Sequence, residues 1–333
     1  MQIGIYTRYQ RRDPTYMAIQ LAELISRRGG EVSVLSDTPN FIPVDPHWDR
    51  RTLRYRQTQF TQWARELDLL VWPHIPPTAQ ARWCRKHDIA TVLLFPWDEF
   101  WHHDPQQMRA ITRVVSPLRA CGALLRDSYD MWNVTVIPWA ASLPPLRRFP
   151  ASRESPPRLP KVLFPLVSCQ PLRMETSIVN MARCVARSGL ASVEVMYDVV
   201  AGYCRRQLMR LHKSELPITV TRVRDELQQR IKYAEADLVV WGSLIETCGL
   251  TGLRSLTMGT PVVSFKRAPA EEFVVNGRNG FLVEAPFQQS ELGVPYIDTD
   301  YVNLTSGVLD LLRTPGLLLR LQQEAHYNMT NRQ

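Results

Sequence analysis

No run of about 18 apolar residues occurs anywhere in the chain, so nothing in it is expected to span a membrane. The opening MQIGIYTRYQRR passes straight from Met into a strand-like run, without the charged-then-apolar layout of a secretory signal, and a cytoplasmic protein is expected. Cysteine is sparse and scattered (Cys84, Cys121, Cys169, Cys184, Cys204, Cys248), with no CxxC pair and no metal-ligand spacing. Buried free thiols in a reducing compartment are the expectation. No Ser-His-Asp order, HExxH or Walker pattern appears. Lysine is nearly missing: of 40 basic residues, 35 are Arg and 5 are Lys. The codon usage of a GC-rich genome accounts for that bias as readily as function does.

What is present is 333 residues, 45% hydrophobic and 22% charged, which suits a soluble globular chain. That length accommodates about two domains of roughly 150 residues each. The net charge of +8 favours an anionic partner: nucleotide, nucleic acid or lipid surface. Charge alone does not choose among them.

Strand and helix signals alternate through the first half. Strands are expected at 3–7, 31–36, 67–72, 90–95, 114–115 and 134–137, with helices at 15–28, 53–66 and 79–87. Residues 138–160, PWAASLPPLRRFPASRESPPRLP, hold seven prolines and read as an extended interdomain hinge. Alternation then restarts, with strands at 161–167, 192–196, 218–223, 237–241 and 261–265. Helices are expected between them at 175–188, 203–213, 225–234 and 250–258. This is an α/β pattern of two Rossmann-like doubly wound domains facing a cleft, residues 1–150 and 151–333.

The chemistry concentrates in DLVVWGSLIETCGLTGLRSLTMG, residues 237–259. A strand ends at Trp241, a loop carries Gly242, Ser243 and Glu246, and Gly249 opens a helix. Backbone N–H groups at a helix start, with Thr247 and Thr251 nearby, suit an anion. Glu246 at its mouth can accept paired hydroxyls from a sugar ring. Taken in isolation, the same loop reads equally as a glutamate capping a helix.

This stretch resembles the donor-binding region of retaining glycosyltransferases of the GT-B fold, in particular family four. Glu246, Gly249, Gly259, Thr260, Pro261, Val262 and Val263 match that family's pattern, as do Glu272, Gly277, Gly280 and Val283 in AEEFVVNGRNGFLV. The resemblance is specific over residues 218–283 and collinear elsewhere. It implies that Glu246 holds donor-sugar hydroxyls, that the amides around Gly249, Leu250 and Thr251 bind the diphosphate, and that Glu272 lies near the nucleotide. Ser243 and Thr247 join that donor set. Asp98 matches the Asp of a His-Asp pair whose His is replaced by Trp97; His74, His102 or His103 can supply the lost imidazole. The donor substrate is a nucleoside diphosphate sugar, with no cofactor and no essential metal. DTD at 298–300 reads as a helix cap rather than a metal motif.

Three departures stand out. The family's second Glu, eight residues after the first, is Arg254, which cannot accept hydrogen bonds and is suited instead to phosphate. The Gly-Arg and Lys-Gly of the family's first C-domain loop are missing from FPLVSCQPLRMET, where Arg173 falls close to the family's Lys. The first loop, TRYQRRDPTY, lacks the usual glycine pair. A non-catalytic sugar-nucleotide or nucleic-acid binding protein therefore stands as an alternative.

The acceptor side is read from residues 1–150, where 19 basic and 14 acidic residues sum to +5. RRTLRYRQTQFTQWAR, residues 50–65, interleaves arginines with Tyr55, Phe60 and Trp63 and contains no acid. Arg50, Arg51, Arg54 and Arg56, with Trp97, suit a polyanionic acceptor. An amphipathic helix packing Leu53, Phe60 and Trp63 inward explains the stretch equally well. GT-B enzymes that glycosylate hydroxymethylated bases of viral DNA form a known class, and such DNA is the first acceptor expected. Envelope lipid or polysaccharide is second, so peripheral membrane contact stays open.

Overall fold

Every strand of two main sheets runs parallel to its neighbours, as alternating strand and helix signals require. The computed structural model describes residues 1–7, 13–36, 54–56, 59–95, 105–138, 158–166, 172–198, 202–223, 225–242, 249–268, 270–284, 287–289, 295–297 and 301–331. These residues divide into two units, one around each sheet.

The first unit contains β1 (Gln2–Thr7), β2 (Glu31–Ser36), β3 (Arg54–Arg56), β4 (Leu69–Trp72), β5 (Ala90–Leu94), β6 (Arg113–Ser116) and β7 (Val134–Val136). Their order is β3-β2-β1-β4-β5-β6-β7, so the winding reverses between β1 and β4. Helices α1 (Asp13–Arg27), α2 (Phe60–Ala64), α3 (Thr78–Lys86) and α4 (Arg119–Asp127) link the strands. The helix expected at 53–66 is corrected here. Arg54–Arg56 form an edge strand paired with Ser33–Leu35, and only Phe60–Ala64 is helical. Edge pairing with β2 outweighs the local amphipathic pattern. Trp63 is buried as expected, its indole N–H donating to Ser33 Oγ at 2.9 Å, and it packs where a side chain at Gly4 would clash.

The second unit contains β8 (Lys161–Leu166), β9 (Ser192–Tyr197), β10 (Ile218–Arg222), β11 (Leu238–Trp241), β12 (Val262–Phe265) and β13 (Gly280–Val283). Their order is β10-β9-β8-β11-β12-β13. The connecting helices are α5 (Leu172–Arg187), α6 (Gly202–His212), α7 (Glu226–Glu235), α8 (Leu250–Thr257) and α9 (Ala270–Phe273). After them come a small antiparallel pair, β14 (Phe287–Gln289) and β15 (Pro295–Ile297), then α10 (Tyr301–Leu312) and α11 (Pro315–Asn331). Strands β11 and β12 are buried throughout, because helices cover both faces of a parallel sheet and leave no wet side to alternate toward. No described helix is long and apolar enough to cross a membrane.

Two of the cysteines follow expectation: Cys84 and Cys121 are buried free thiols, and burial pushes the Cys84 thiol up to about 12. Cys184 does not, since it is exposed on α5. Its neighbours Val185 and Ala186 turn inward and take the core face of that helix.

One buried charge cluster stabilises the second unit. Glu194 on β9, 1% exposed, meets Lys161 Nζ at 2.6 Å and Lys232 Nζ at 3.1 Å, and accepts from Thr221 Oγ1 at 2.5 Å. Both lysines also reach Glu235, each at 3.0 Å. Burial raises the Glu194 carboxyl, but the lysines and Thr221 outweigh it and hold the group below the usual carboxylate range. A carboxylate with a depressed folded pKa contributes stability above its unfolded pKa, and that contribution disappears as pH falls through the folded value. Glu194→Gln is therefore expected to cost about 1–3 kcal/mol at neutral pH, because the lysines retain Glu235. The gap from wild type should close as pH drops below about 4. Urea titrations at pH 7 and pH 3.5 check this; a pH-independent gap would make the loss one of shape alone.

Candidate functional site

Strand β11 and helix α8 meet beside a glycine that the chain cannot replace. Gly249 has φ 73° and ψ 29°, the left-handed region that glycine adopts at no steric cost. A Cβ there would lie 2.6 Å from Phe273 Cε2 and 3.1 Å from the Trp241 ring. One turn on, a Cβ at Gly252 would stand 2.5 Å from Trp241 Cζ3. The buried Trp241 indole thus forms the floor on which α8 rests, and α9 closes against the start of α8 through Phe273. The first intrahelical bond of α8 runs from Leu253 N to Gly249 O at 2.9 Å, so the amides of its first turn stand outside the helical ladder.

Around this start the frame is polar and fixed. The Tyr301 hydroxyl, at the start of α10, donates to Gly242 O at 3.2 Å, and Ser264 Oγ donates to Trp241 O at 2.9 Å. Burial pushes the Tyr301 phenol up, while the charge of Arg267 pulls against that rise. Arg267 follows β12 and is 6% exposed; Asp198, directly after β9, is 8% exposed. Both lie just past the carboxyl ends of their strands, the edge at which open α/β sheets bind ligands.

The remaining motif glycines serve the turn into β13. Gly277 has φ 77°, and a Cβ at Gly280 would press to 2.3 Å from Val262 O. Asn279 latches the turn, accepting from Val275 N at 2.7 Å and donating to Phe273 O at 3.1 Å. GRNG is therefore a strand-entry turn. Thr260 secures the Gly-Thr-Pro step by donating to Tyr233 O at 2.7 Å.

The structure brings Gly249, Leu250, Thr251 and Arg254 together on α8, with Glu272 on the adjoining α9. Leu250, Thr251 and Arg254 are all buried, and Arg254 is 4% exposed, which excludes an outward-facing position for it. Arg173 falls in the first turn of α5. His74 follows β4 at the winding reversal of the first sheet, 4% exposed, its ring 5.9 Å from that of Tyr6. Arg54 and Arg56 lie on the edge strand β3. Glu246, Ser243, Thr247, Asp98, Trp97, Arg50, Arg51, His102, His103, residues 298–300 and most of the proline-rich hinge lie outside the described residues. Among the described residues, no group of three or more His, Cys, Asp or Glu is placed to hold a metal ion.

Sequence reasoning passed over Arg267, Tyr301 and Asp198. A signal for Arg267 exists: the charged pair Lys266–Arg267 directly follows four buried strand residues. Nothing in the sequence around Tyr301 points to Gly242, 59 residues earlier.

Residues 185–292 match the family model described as glycosyl transferases group 1. That match takes in β9 to β13, and with them α8 and its glycines. Sucrose-phosphate synthase from Thermosynechococcus elongatus superposes with a TM-score of 0.71 at 15% identity, over 99% of this chain and 94% of that one. The fold is GT-B. Anabaena HepE, solved with UDP and glucose, gives a TM-score of 0.70 at 14% identity over 100% and 95% of the two chains. A glycosyltransferase from Rickettsia africae gives 0.68 at 13% identity over 99% and 93%. No curated protein matches the chain in sequence. The GT-B likeness accounts for both parallel sheets, and the group 1 segment is the one containing the rigid β11–α8 corner.

Proposed function

We propose that this protein is a glycosyltransferase that moves a sugar from a nucleoside diphosphate sugar, a UDP-sugar first among them, to an acceptor hydroxyl with retention. The observation that carries the reading is a coincidence. The group 1 match over residues 185–292 falls on the corner where Gly249, Gly252, Gly277 and Gly280 are each required by packing or backbone geometry. The HepE structures holding UDP, UDP-glucose, or UDP and glucose support the choice of donor.

In this reading Glu246 holds the sugar hydroxyls, with Ser243 and Thr247 beside it. The amides at Gly249, Leu250 and Thr251 take the diphosphate, helped by the helix dipole. Glu272 serves the nucleotide end, and Asp98 and His74 serve the sugar. Arg173 lies toward the leaving group. During transfer the bond from the anomeric carbon to the diphosphate oxygen breaks, with its electron pair leaving on the phosphate. The acceptor hydroxyl forms the new bond and gives up its proton. No metal is assigned a step, a choice that rests on the family resemblance.

For the acceptor we propose DNA carrying hydroxymethylated bases, bound by the first unit through Arg50, Arg51, Arg54, Arg56 and Trp97. The support is the run of arginines without an acid, two of which lie on an edge strand. An envelope glycan is the second reading; Staphylococcus aureus TarM in complex with alpha-GlcNAc-glycerol and UDP favours it, at a TM-score of 0.58.

Incubation with a panel of nucleotide-sugars and acceptors, read by mass spectrometry, tests both levels. The expected result is UDP release with one sugar mass added to hydroxymethylated DNA. Its binding should weaken with salt and on removal of the four arginines. Donor consumption with only a glycan acceptor would move the assignment to the second reading. Binding without any turnover would mark a non-catalytic sugar-nucleotide protein.

A further inference from the structure

A GT-B donor site must neutralise a diphosphate as it leaves, and this chain lacks the Gly-Arg and Lys-Gly pairs in the loop after β8. The structure places a different cation at the carboxyl edge of the same sheet. Strand β12 runs buried from Val262 to Phe265. Lys266 then turns outward, exposed, and pairs with Glu284 at 2.6 Å. Arg267 takes the opposite direction and is 94% buried. Register fixes where that burial lies. Trp241 pairs with Ser264, so Arg267 stands beyond the end of β11, beside the strand that leads to Gly249. Tyr301, whose hydroxyl holds Gly242 O at 3.2 Å, lies within the field of the guanidinium. One printed geometry orients the group: Arg267 Nη1 donates to Ala268 O at 3.4 Å, a long bond that leaves most of its five donors to other acceptors.

A guanidinium stays ionised at any working pH, so burying one is costly unless anionic or strongly accepting groups meet it. A site at the sheet edge visited by a diphosphate supplies such a group. Lysine scarcity fits the choice of cation, since a planar fork can grip two phosphate oxygens together.

We propose that Arg267 contacts the β-phosphate of the bound nucleotide and holds the charge that develops there as the sugar departs. This rests on the glycosyltransferase reading given above. Arg267 neither gives nor takes a proton; the electron pair of the broken bond stays on the phosphate oxygen it faces. Tyr301 acts as a positioning residue, fixing the backbone at Gly242.

Calorimetric titration of the full chain with UDP and with UMP separates the β-phosphate from the rest of the nucleotide. In wild type UDP is expected to bind more tightly than UMP. Arg267→Gln should lower UDP affinity at least about tenfold and change UMP affinity less than about threefold, as removal of one charge-assisted contact predicts. Arg267→Lys should recover part of the UDP loss. Should the Gln variant fail to fold, the Lys variant carries the test, with a fall in UDP affinity of at least about threefold and none for UMP. Equal losses for both nucleotides, or no loss, would make Arg267 a purely structural residue. Equal binding of UDP and UMP by wild type would overturn the proposal while leaving the donor reading in place. Failure of wild type to bind UDP, ADP or GDP would overturn the donor reading and this proposal together.

Discussion

Glu246→Gln is expected to lower sugar-transfer turnover at least about a hundredfold while leaving nucleotide affinity almost unchanged. The amide matches the carboxylate in shape, so the loop keeps its packing. What changes is hydrogen-bonding capacity: a carboxylate only accepts, whereas the amide presents two donors and one acceptor oxygen. Sugar hydroxyls that donated to Glu246 would lose charge-assisted partners, and the sugar its alignment with the departing diphosphate. The nucleotide, held by the amides of the α8 start, would be unaffected. Paired measurements of turnover on a UDP-sugar and of UDP binding check both halves. Near-wild-type turnover in a folded variant would remove Glu246 from the site.

Arg254→Glu should weaken donor binding by on the order of 2–4 kcal/mol, the loss of one charge-assisted contact together with new repulsion against the diphosphate. Restoring the family's residue therefore harms this protein rather than repairing it. The structure adds a second consequence. Arg254 is 4% exposed, on the same short helix that begins at Gly249, so a carboxylate there is also desolvated. Loss of stability and loss of binding must be read apart. Thermal melts without nucleotide measure the first, and UDP titration of the folded fraction measures the second. Arg254→Met is the control, since it keeps much of the apolar stem and removes only the charge. If UDP affinity survives both changes, Arg254 belongs to the packing of α8 alone. DNA affinity should be untouched by either variant, because the arginines assigned to it lie in the first unit.

Much of the architecture was legible because its signals are local. Strands such as β11 and β12 are continuous apolar runs, and a strand buried on both faces has no other way to read. Asp225 before α7 announced a helix start, and its carboxylate does accept from Gln228 N at 2.8 Å. The glycines at 249, 259 and 277 were legible as turn or cap positions, and all three adopt positive φ. The failures share a cause. Arg54–Arg56 read as helix because nothing within their own segment records that β2 offers an unpaired edge. Cys184 read as buried because the inward face of α5 is set by the helices and strands it packs against, not by its own composition.

By itself, then, the sequence determined two parallel α/β units, the glycine-punctuated corner before α8, and the donor chemistry that its motif residues imply. Tertiary structure alone decided which groups attend that corner. It put the Trp241 ring beneath Gly252 and Phe273 beneath Gly249, brought the Tyr301 hydroxyl to Gly242, and turned Arg254 and Arg267 inward. The physical reason is that backbone conformation depends on neighbours along the chain, whereas burial and hydrogen-bond partners depend on elements tens of residues away. A parallel sheet brings those distant elements to one edge, and only the folded chain shows which side chains stand there.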